Sequence, residues 1–373
     1  MASQKPTLLL PNSVYQQDKN GNFTCTCSNV QAGEPYQLQL VHTLQAPGND
    51  HILPGSFATV CRVLNDMARL VHPSAPCVAI VSKPPEKIAW RTRIDLHGIC
   101  AQLSSVYGVR VKFTPMRDLA RARLDSCGDL ILDGQRISLL YSRFDFSHPW
   151  GRFVDERPAG DSAEEFDSEW STIERLEVSN AILSSSLAYR LAHRRAVQHA
   201  LVRRGGLEQL VSAEEASDLR GVIPQQWALW DAVERDEFDT LFKGNPGGFV
   251  AKNVLRPRTG SSSTQGRSTS GGDIIASPTK LADLLQSEFR DQYVAYPRVY
   301  PRSRVATFVH NGVAHETDSV AEVASYGCLQ DGLQTSGMVN SWIGIGARAR
   351  PASAHHFLSR ELGYGALSAC TEV

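Results

Sequence analysis

Between Cys77 and Tyr141 the apolar residues fall in a rhythm that leaves few fold classes open. Cys77 to Val81 is a short apolar run, Ile94, Ile99, Leu103 and Val106 follow with helical spacing, and Val109 to Phe113 is strand-like again. Strand, helix, strand with short links is the unit of a parallel sheet covered by helices. Leu130–Leu132 and Ile137–Tyr141 then flank Asp133-Gly134, a dipeptide suited to a tight hairpin turn. Residues 75 to about 148 read as one small α/β lobe.

The rest of the chain is longer than that lobe can bury. With 373 residues, two or three packed lobes are expected. Residues 1–74 are expected as a separate N-terminal region and show only a weak pattern: an apolar alternation at Tyr36–Val41 and a Gly/Pro/Asn/Asp loop over Pro47–Gly55. Gly151–Trp170 reads as an acidic exposed loop, followed by helices over Glu174–Ala192 and Arg194–Leu210. A strand at Phe249–Lys252, a helix at Pro278–Phe289 and a hairpin turned by Asn311-Gly312 complete the pattern.

Charge excludes the simplest binding classes. The 38 Lys and Arg nearly cancel the 39 Asp and Glu, so no global field marks a nucleic-acid or membrane binder, and an anion must be held by local groups. Leu8, Leu9 and Leu10 form too short an apolar run for a signal peptide or a span, and a cytoplasmic location is expected. The eight cysteines are scattered and read as reduced thiols; neither Cys25 and Cys27 nor His193, His310, His355 and His356 have zinc-site spacing.

The segment with chemical character starts at Lys252. This lysine ends an apolar strand, and Arg256–Gly272, composed almost entirely of Arg, Thr, Gly, Ser and Gln, begins four residues later. Gly and Ser let backbone N–H groups approach an anion, and Arg256, Arg258 and Arg267 add charge, a combination suited to a polyphosphate. By composition alone the stretch reads sooner as a disordered Gly/Ser linker. Its position inside what reads as one lobe favours the anion loop.

Several local patterns, in a shared order, resemble eukaryotic glutathione synthetase. Leu191-Ala192-His193-Arg194-Arg195-Ala196-Val197-Gln198 is similar to that family's Leu-Ala-Gly-Thr-Lys-Lys-Val-Gln-Gln helix, and Phe249-Val250-Ala251-Lys252 to its Phe-Val-Leu-Lys strand. Arg258-Thr259-Gly260-Ser261-Ser262-Ser263-Thr264 stands where the family has a Gly-rich loop. Asn340-Ser341-Trp342-Ile343-Gly344 and Arg348-Ala349-Arg350 resemble Asn-Lys-His-Val-Gly and Arg-Thr-Lys, while Asp133-Gly134-Gln135 and Tyr141-Ser142-Arg143 resemble Asp-Gly-Gln-Glu and Tyr-Phe-Arg. The resemblance covers about residues 77–373.

It implies an α/β ATP-grasp fold, with a parallel-sheet substrate lobe over 75–192 and a β-rich nucleotide-binding region over 193–373. Lys252, Arg195 and Arg350 fall on the positions that meet the phosphates of ATP, and Arg258, Gly260, Ser261 and Ser262 on the loop that closes over them. Tyr293–Val299 corresponds to the strand beside the adenine, with Tyr296 next to the ring; Arg143 and Arg348 fall where substrate carboxylates are held. The implied reaction joins γ-glutamylcysteine and glycine, and a homodimer is compatible with the resemblance. The metal positions depart from the pattern. Where the family has acids to hold Mg²⁺, this chain has Gln39 to Thr43, His42 among them, and Thr259 or Arg256. Either Asp273 and Glu322 replace those acids, or the fold serves as a binding module with weak turnover, or the acid and amine differ from the family's. Glu322 itself reads as a strand acid facing the nucleotide or as an edge charge.

Overall fold

In a computed structural model the chain is described over residues 6–10, 12–29, 56–82, 90–142, 163–192, 194–203, 205–254, 274–310, 313–331, 339–352 and 366–368. Its frame is an 11-stranded sheet. Five strands on one side are parallel, in the spatial order Arg110–Pro115, Cys77–Ser82, Leu139–Ser142, Ile182–Ser184, Thr7–Leu9. Thr7–Leu9 then pairs antiparallel with the long strand Val313–Asp331, and Val339–Pro351 and Ala366–Ser368 continue the sheet beyond it. Along the edge of Val313–Asp331 opposite to Val339–Pro351 lie Ser303–His310 and the hairpin Asn12–Gln17/Phe23–Asn29.

All six residues of Cys77–Ser82 are buried, because helices cover both faces of the parallel strands. Alternation sends Val78 and Ile80 into one core with Leu8, Leu139, Tyr141 and Ile182. Cys77, Ala79 and Val81 enter a second core with Leu140, Leu183 and Leu176 of helix Ala163–Val178. Helices Ser56–Val71 and Trp90–Ser105 close the first core through Val60, Leu64, Met67, Ile99 and Leu103. Burial also pushes the Cys61 thiol up to about 12, which keeps it a neutral core residue.

Several elements differ from the sequence expectation, each for a local reason. Ile137–Tyr141 is not one hairpin arm: Gln135–Ile137 pairs with Leu130–Leu132 in a small three-stranded sheet, whereas Leu139–Ser142 enters the large one. Ser138 is the joint, its amide donating to the Cys77 carbonyl at 2.9 Å and its hydroxyl accepting from the Cys77 amide at 3.0 Å. The turn itself is as expected, with Asp133 at φ 48° and Gly134 at φ 78°. The helix expected over Glu174–Ala192 is interrupted: Ala163–Val178 ends where the Ser179 hydroxyl donates to the Leu176 carbonyl at 2.7 Å, and Ile182–Ser184 is a strand. Residues 163–170 are therefore helix and not loop, while 151–162 lie outside the described residues. Arg194–Leu210 reduces to helix Arg195–Val202 and a single turn at Leu207–Gln209, parted at Gly205 with φ 84°, and the helix from Pro278 ends at Leu285. Helix Ser56–Val71 is absent from the sequence reading.

A second, four-stranded antiparallel sheet runs Trp227–Ala228, Tyr293–Pro297, Phe249–Asn253, Ile274–Ile275. It has its own core of Trp227, Phe238, Phe242, Leu281, Leu284 and Tyr293. Helix Ala232–Gly244 packs on it, started by Asp231, whose carboxylate accepts from the amides of Val233 and Glu234 at 3.0 and 3.2 Å. The large sheet draws strands from all three regions expected from chain order, 1–74, 75–192 and 193–373. None of the described helices is long and apolar enough to cross a membrane.

Leu64 is fully buried beneath helix Ser56–Val71. Leu64→Ala is expected to lower the unfolding free energy by about 2 to 5 kcal/mol. Val233→Ala, at a side chain 78% exposed, is expected to change it by less than about 0.5 kcal/mol. Urea denaturation measures both, and a Leu64 variant as stable as the parent would contradict the helix-covered sheet.

Candidate nucleotide site

Strand Phe249–Asn253 brings the candidate cations to the place where the two sheets meet. Its register with Tyr293–Pro297 sets Lys252 opposite Val294 and Val250 opposite Tyr296, so alternation puts Lys252 and Tyr296 on one face, diagonally adjacent. The Lys252 ammonium lies 4.3 Å from the centroid of the Tyr296 ring, which is 6% exposed. A cation above an aromatic face is attracted by the ring's quadrupole. Lys252 Nζ also donates to the Thr26 carbonyl at 3.1 Å, and Thr26 belongs to strand Phe23–Asn29 of the large sheet. One side chain thus ties the two sheets together.

Arg195 reaches the same strand end from the first turn of helix Arg195–Val202, donating through Nη1 to the Asn253 carbonyl. Asn253 follows Lys252 directly, so the two cations share one end of the strand. One turn further along the helix, buried His199 meets Glu234 with Nε2 to Oε2 at 2.7 Å. The same Glu234 oxygen accepts from the Ala228 amide at 2.7 Å, and Arg203 Nε lies 3.0 Å from Oε1. Glu234 therefore pins the helix that carries Arg195 to the four-stranded sheet.

Glu322 is 2% exposed on a central stretch of its strand, and its Oε1 accepts from Gln16 Nε2 at 3.0 Å. This removes the edge-charge reading. Backbone register sets Glu322 between Gln16 on one side and position 348 on the other, with position 350 across from Val320. Strand Val339–Pro351 thus brings Arg348 and Arg350 into neighbouring register positions. Among the described residues no group of three His, Cys, Asp or Glu side chains could hold a metal ion. A single buried carboxylate bonded to an amide does not match the several oxygen ligands that Mg²⁺ takes, so these residues by themselves do not fit that ion.

Arg143, Arg256, Arg258, Thr259, Gly260, Ser261, Ser262 and Asp273, together with Gln39 and His42, lie outside the described residues. Thr26 and Gln16, which touch Lys252 and Glu322, are not among the residues singled out from the sequence. Their signal was present in Asn20-Gly21, a hairpin dipeptide between the alternating segments Asn12–Gln17 and Phe23–Asn29. Gly21 takes φ 92°, and the Asp18 carboxylate accepts from the amides of Asn20 and Asn22 at 2.8 and 2.9 Å. Those backbone bonds hold the Asp18 carboxyl below its ordinary range.

No protein-family model matches the chain. It is similar to the chloroplastic glutathione synthetase of Solanum lycopersicum, 23% identical over 275 residues that span 71% of this chain and 44% of that protein. The chloroplastic glutathione synthetase of Arabidopsis thaliana is 24% identical over 262 residues, 70% of this chain and 43% of that protein. The chain therefore spans less than half the length of these curated relatives. A solved apo structure of a glutathione synthetase-like effector from Globodera pallida matches the fold with a TM-score of 0.65 at 16% identity, over 94% of this chain and 74% of that one. The chain is thus similar in sequence to chloroplastic glutathione synthetases and shares its mixed α/β fold with a glutathione synthetase-like effector.

Proposed function

We propose that the chain is an ATP-dependent carboxylate–amine ligase. The γ-phosphate of ATP passes to a substrate carboxylate, giving ADP and an acyl phosphate; an amine then attacks the acyl carbon, forms the amide and releases phosphate. The observation that carries this reading is the meeting of Lys252, Tyr296 and Arg195 at one strand end between the two sheets. Lys252 and Arg195 are engaged by neutral backbone carbonyls, and a phosphate oxygen is the stronger acceptor because its bond is charge-assisted on both sides. Arg350 is assigned as a third cation, and Arg258, Gly260, Ser261 and Ser262 as further phosphate-binding residues by their place in the sequence. The backbone of Tyr293–Pro297 and the Tyr296 ring border the adenine. Arg143 and Arg348 hold carboxylates of the acid.

In this reading the protein's part is positioning and charge stabilisation, with water kept from the acyl phosphate. Among the described residues no set of side chains fits a metal ion, and the charge of the phosphates falls to Lys252, Arg195 and Arg350 in this reading. γ-Glutamylcysteine and glycine are the first acid and amine to test. A ligase of secondary metabolism with another pair would use the same residues, in the cytoplasm and as a homodimer in either case. The absence of acids at Gln39, His42 and Thr259 favours a second reading, a nucleotide-binding protein with weak turnover.

Lys252→Ala is expected to weaken ATP binding about tenfold to a hundredfold, the worth of a charge-assisted hydrogen bond of about 1.5 to 3 kcal/mol. Lys252→Arg should retain most of the affinity. Calorimetric titration decides, and equal affinity in the alanine variant would remove the nucleotide site from this strand. Arg348→Met and Arg143→Met should leave the ATP dissociation constant within about twofold while abolishing amide formation; collapse of ATP affinity would mean that these arginines serve the nucleotide. With γ-glutamylcysteine and glycine, phosphate release by the parent chain is expected below about 1 per second, the lower end of ordinary enzyme turnover. A rate well above that would show a complete catalytic site.

A further inference from the structure

The carboxyl ends of the parallel strands hold a feature that the nucleotide site does not use. In open α/β sheets, ligands bind outside those ends. Here four adjacent strands each carry a buried hydroxyl residue there: Thr114, Ser82, Ser142 and Ser184, exposed by 2%, 5%, 1% and 1%. Ser185, 1% exposed, follows directly. Among the described residues, the Oγ atoms of Ser184 and Ser185 are buried without a hydrogen-bond partner. Native proteins rarely leave such groups unsatisfied, because a hydroxyl removed from water loses its bonds without compensation. Beside them, Arg190 of helix Leu187–Ala192 is 2% exposed and donates through Nε to the Ser185 carbonyl at 2.8 Å. Two unmatched donors and a deeply placed guanidinium thus adjoin one chain segment.

The chemistry of these groups selects the ligand. Hydroxyls satisfy either a donor or an acceptor, but an adjacent arginine favours an acceptor with negative charge. We infer that this strand end is a subsite for a carboxylate of the acid substrate, with Ser184 and Ser185 as hydrogen-bond donors and Arg190 as the neighbouring charge. The assignment to the acid rests on the ligase reading. Ser184 and Ser185 would then be left without partners in the free chain and satisfied when the acid is bound.

This gives a signature that a packing role does not share. Removing an unsatisfied buried hydroxyl leaves the free protein as stable or more stable, yet removes a bond to the ligand. The test uses Ser184→Ala, Ser185→Ala and the double variant of the full chain, titrated calorimetrically with γ-glutamylcysteine, glutarate and, separately, ATP. The expected result is a dissociation constant for the two acids raised at least about fivefold in each variant. ATP affinity should not change, and the melting temperature without ligand should be equal or higher. Unchanged acid affinity in the double variant overturns the inference, as does a variant that melts several degrees lower or fails to fold, since the hydroxyls are then structural. A parent chain that binds ATP but neither acid also overturns it and leaves the nucleotide site intact. Serine-dependent acid binding in a chain that does not bind ATP supports the subsite and removes the ligase reading.

Discussion

Six consecutive buried residues, Cys77 to Ser82, give the large sheet two apolar faces, and each face needs a cover. Helices Ser56–Val71 and Trp90–Ser105 cover one, and helix Ala163–Val178 covers the other. Because the strands joined through these helices are parallel, all their carboxyl ends lie on one side, where Ser82, Ser142 and Ser184 stop the apolar runs. The helical cover and the polar strand ends follow from the same constraint. A parallel sheet can hide its faces, but its ends must be polar or meet a ligand.

The second constraint is electrostatic. Lys252 and Arg195 are cations partly withdrawn from water, and each is stabilised by a backbone carbonyl, with the Tyr296 ring adding to the hold on Lys252. Such an arrangement brings two positive charges to one end of strand Phe249–Asn253. It also makes the candidate site depend on long-range contacts, because Thr26 and Lys252 are 226 residues apart in the chain. The N-terminal hairpin is therefore part of the candidate site, and its register with Val313–Asp331 places Gln16 against Glu322.

Legibility in the sequence followed burial and local turn chemistry. Cys77–Ser82 was visible because both faces are buried, and Asp133-Gly134 because left-handed backbone angles demand such residues. Ile182–Ser184 was not, since a three-residue apolar strand between two helices has no periodicity of its own. Helix Ser56–Val71 carried a readable pattern, with Phe57, Val60, Cys61, Leu64, Met67 and Ala68 recurring at three and four residues, yet it follows a Gly/Pro-rich stretch that dominates a coarse reading. At the site, Lys252, Tyr296 and Arg195 could be aligned through their shared order with a known family, and the structure brings those three together. Asn20-Gly21 marks the hairpin that carries Thr26 and Gln16, but their partners could not be read, because those contacts cross from one end of the chain to the other.

The central claim is that nucleotide binds where strand Phe249–Asn253 meets strand Tyr293–Pro297. Photolabelling with 8-azido-ATP, followed by peptide mapping, tests it without reference to turnover or to the identity of the acid. Label within about residues 249–254 or 293–300, removed by excess ATP, is the predicted result, because the azide is carried on the adenine ring, which the proposed function sets beside these strands. Label that maps elsewhere in the chain, or that persists in excess ATP, would contradict the account.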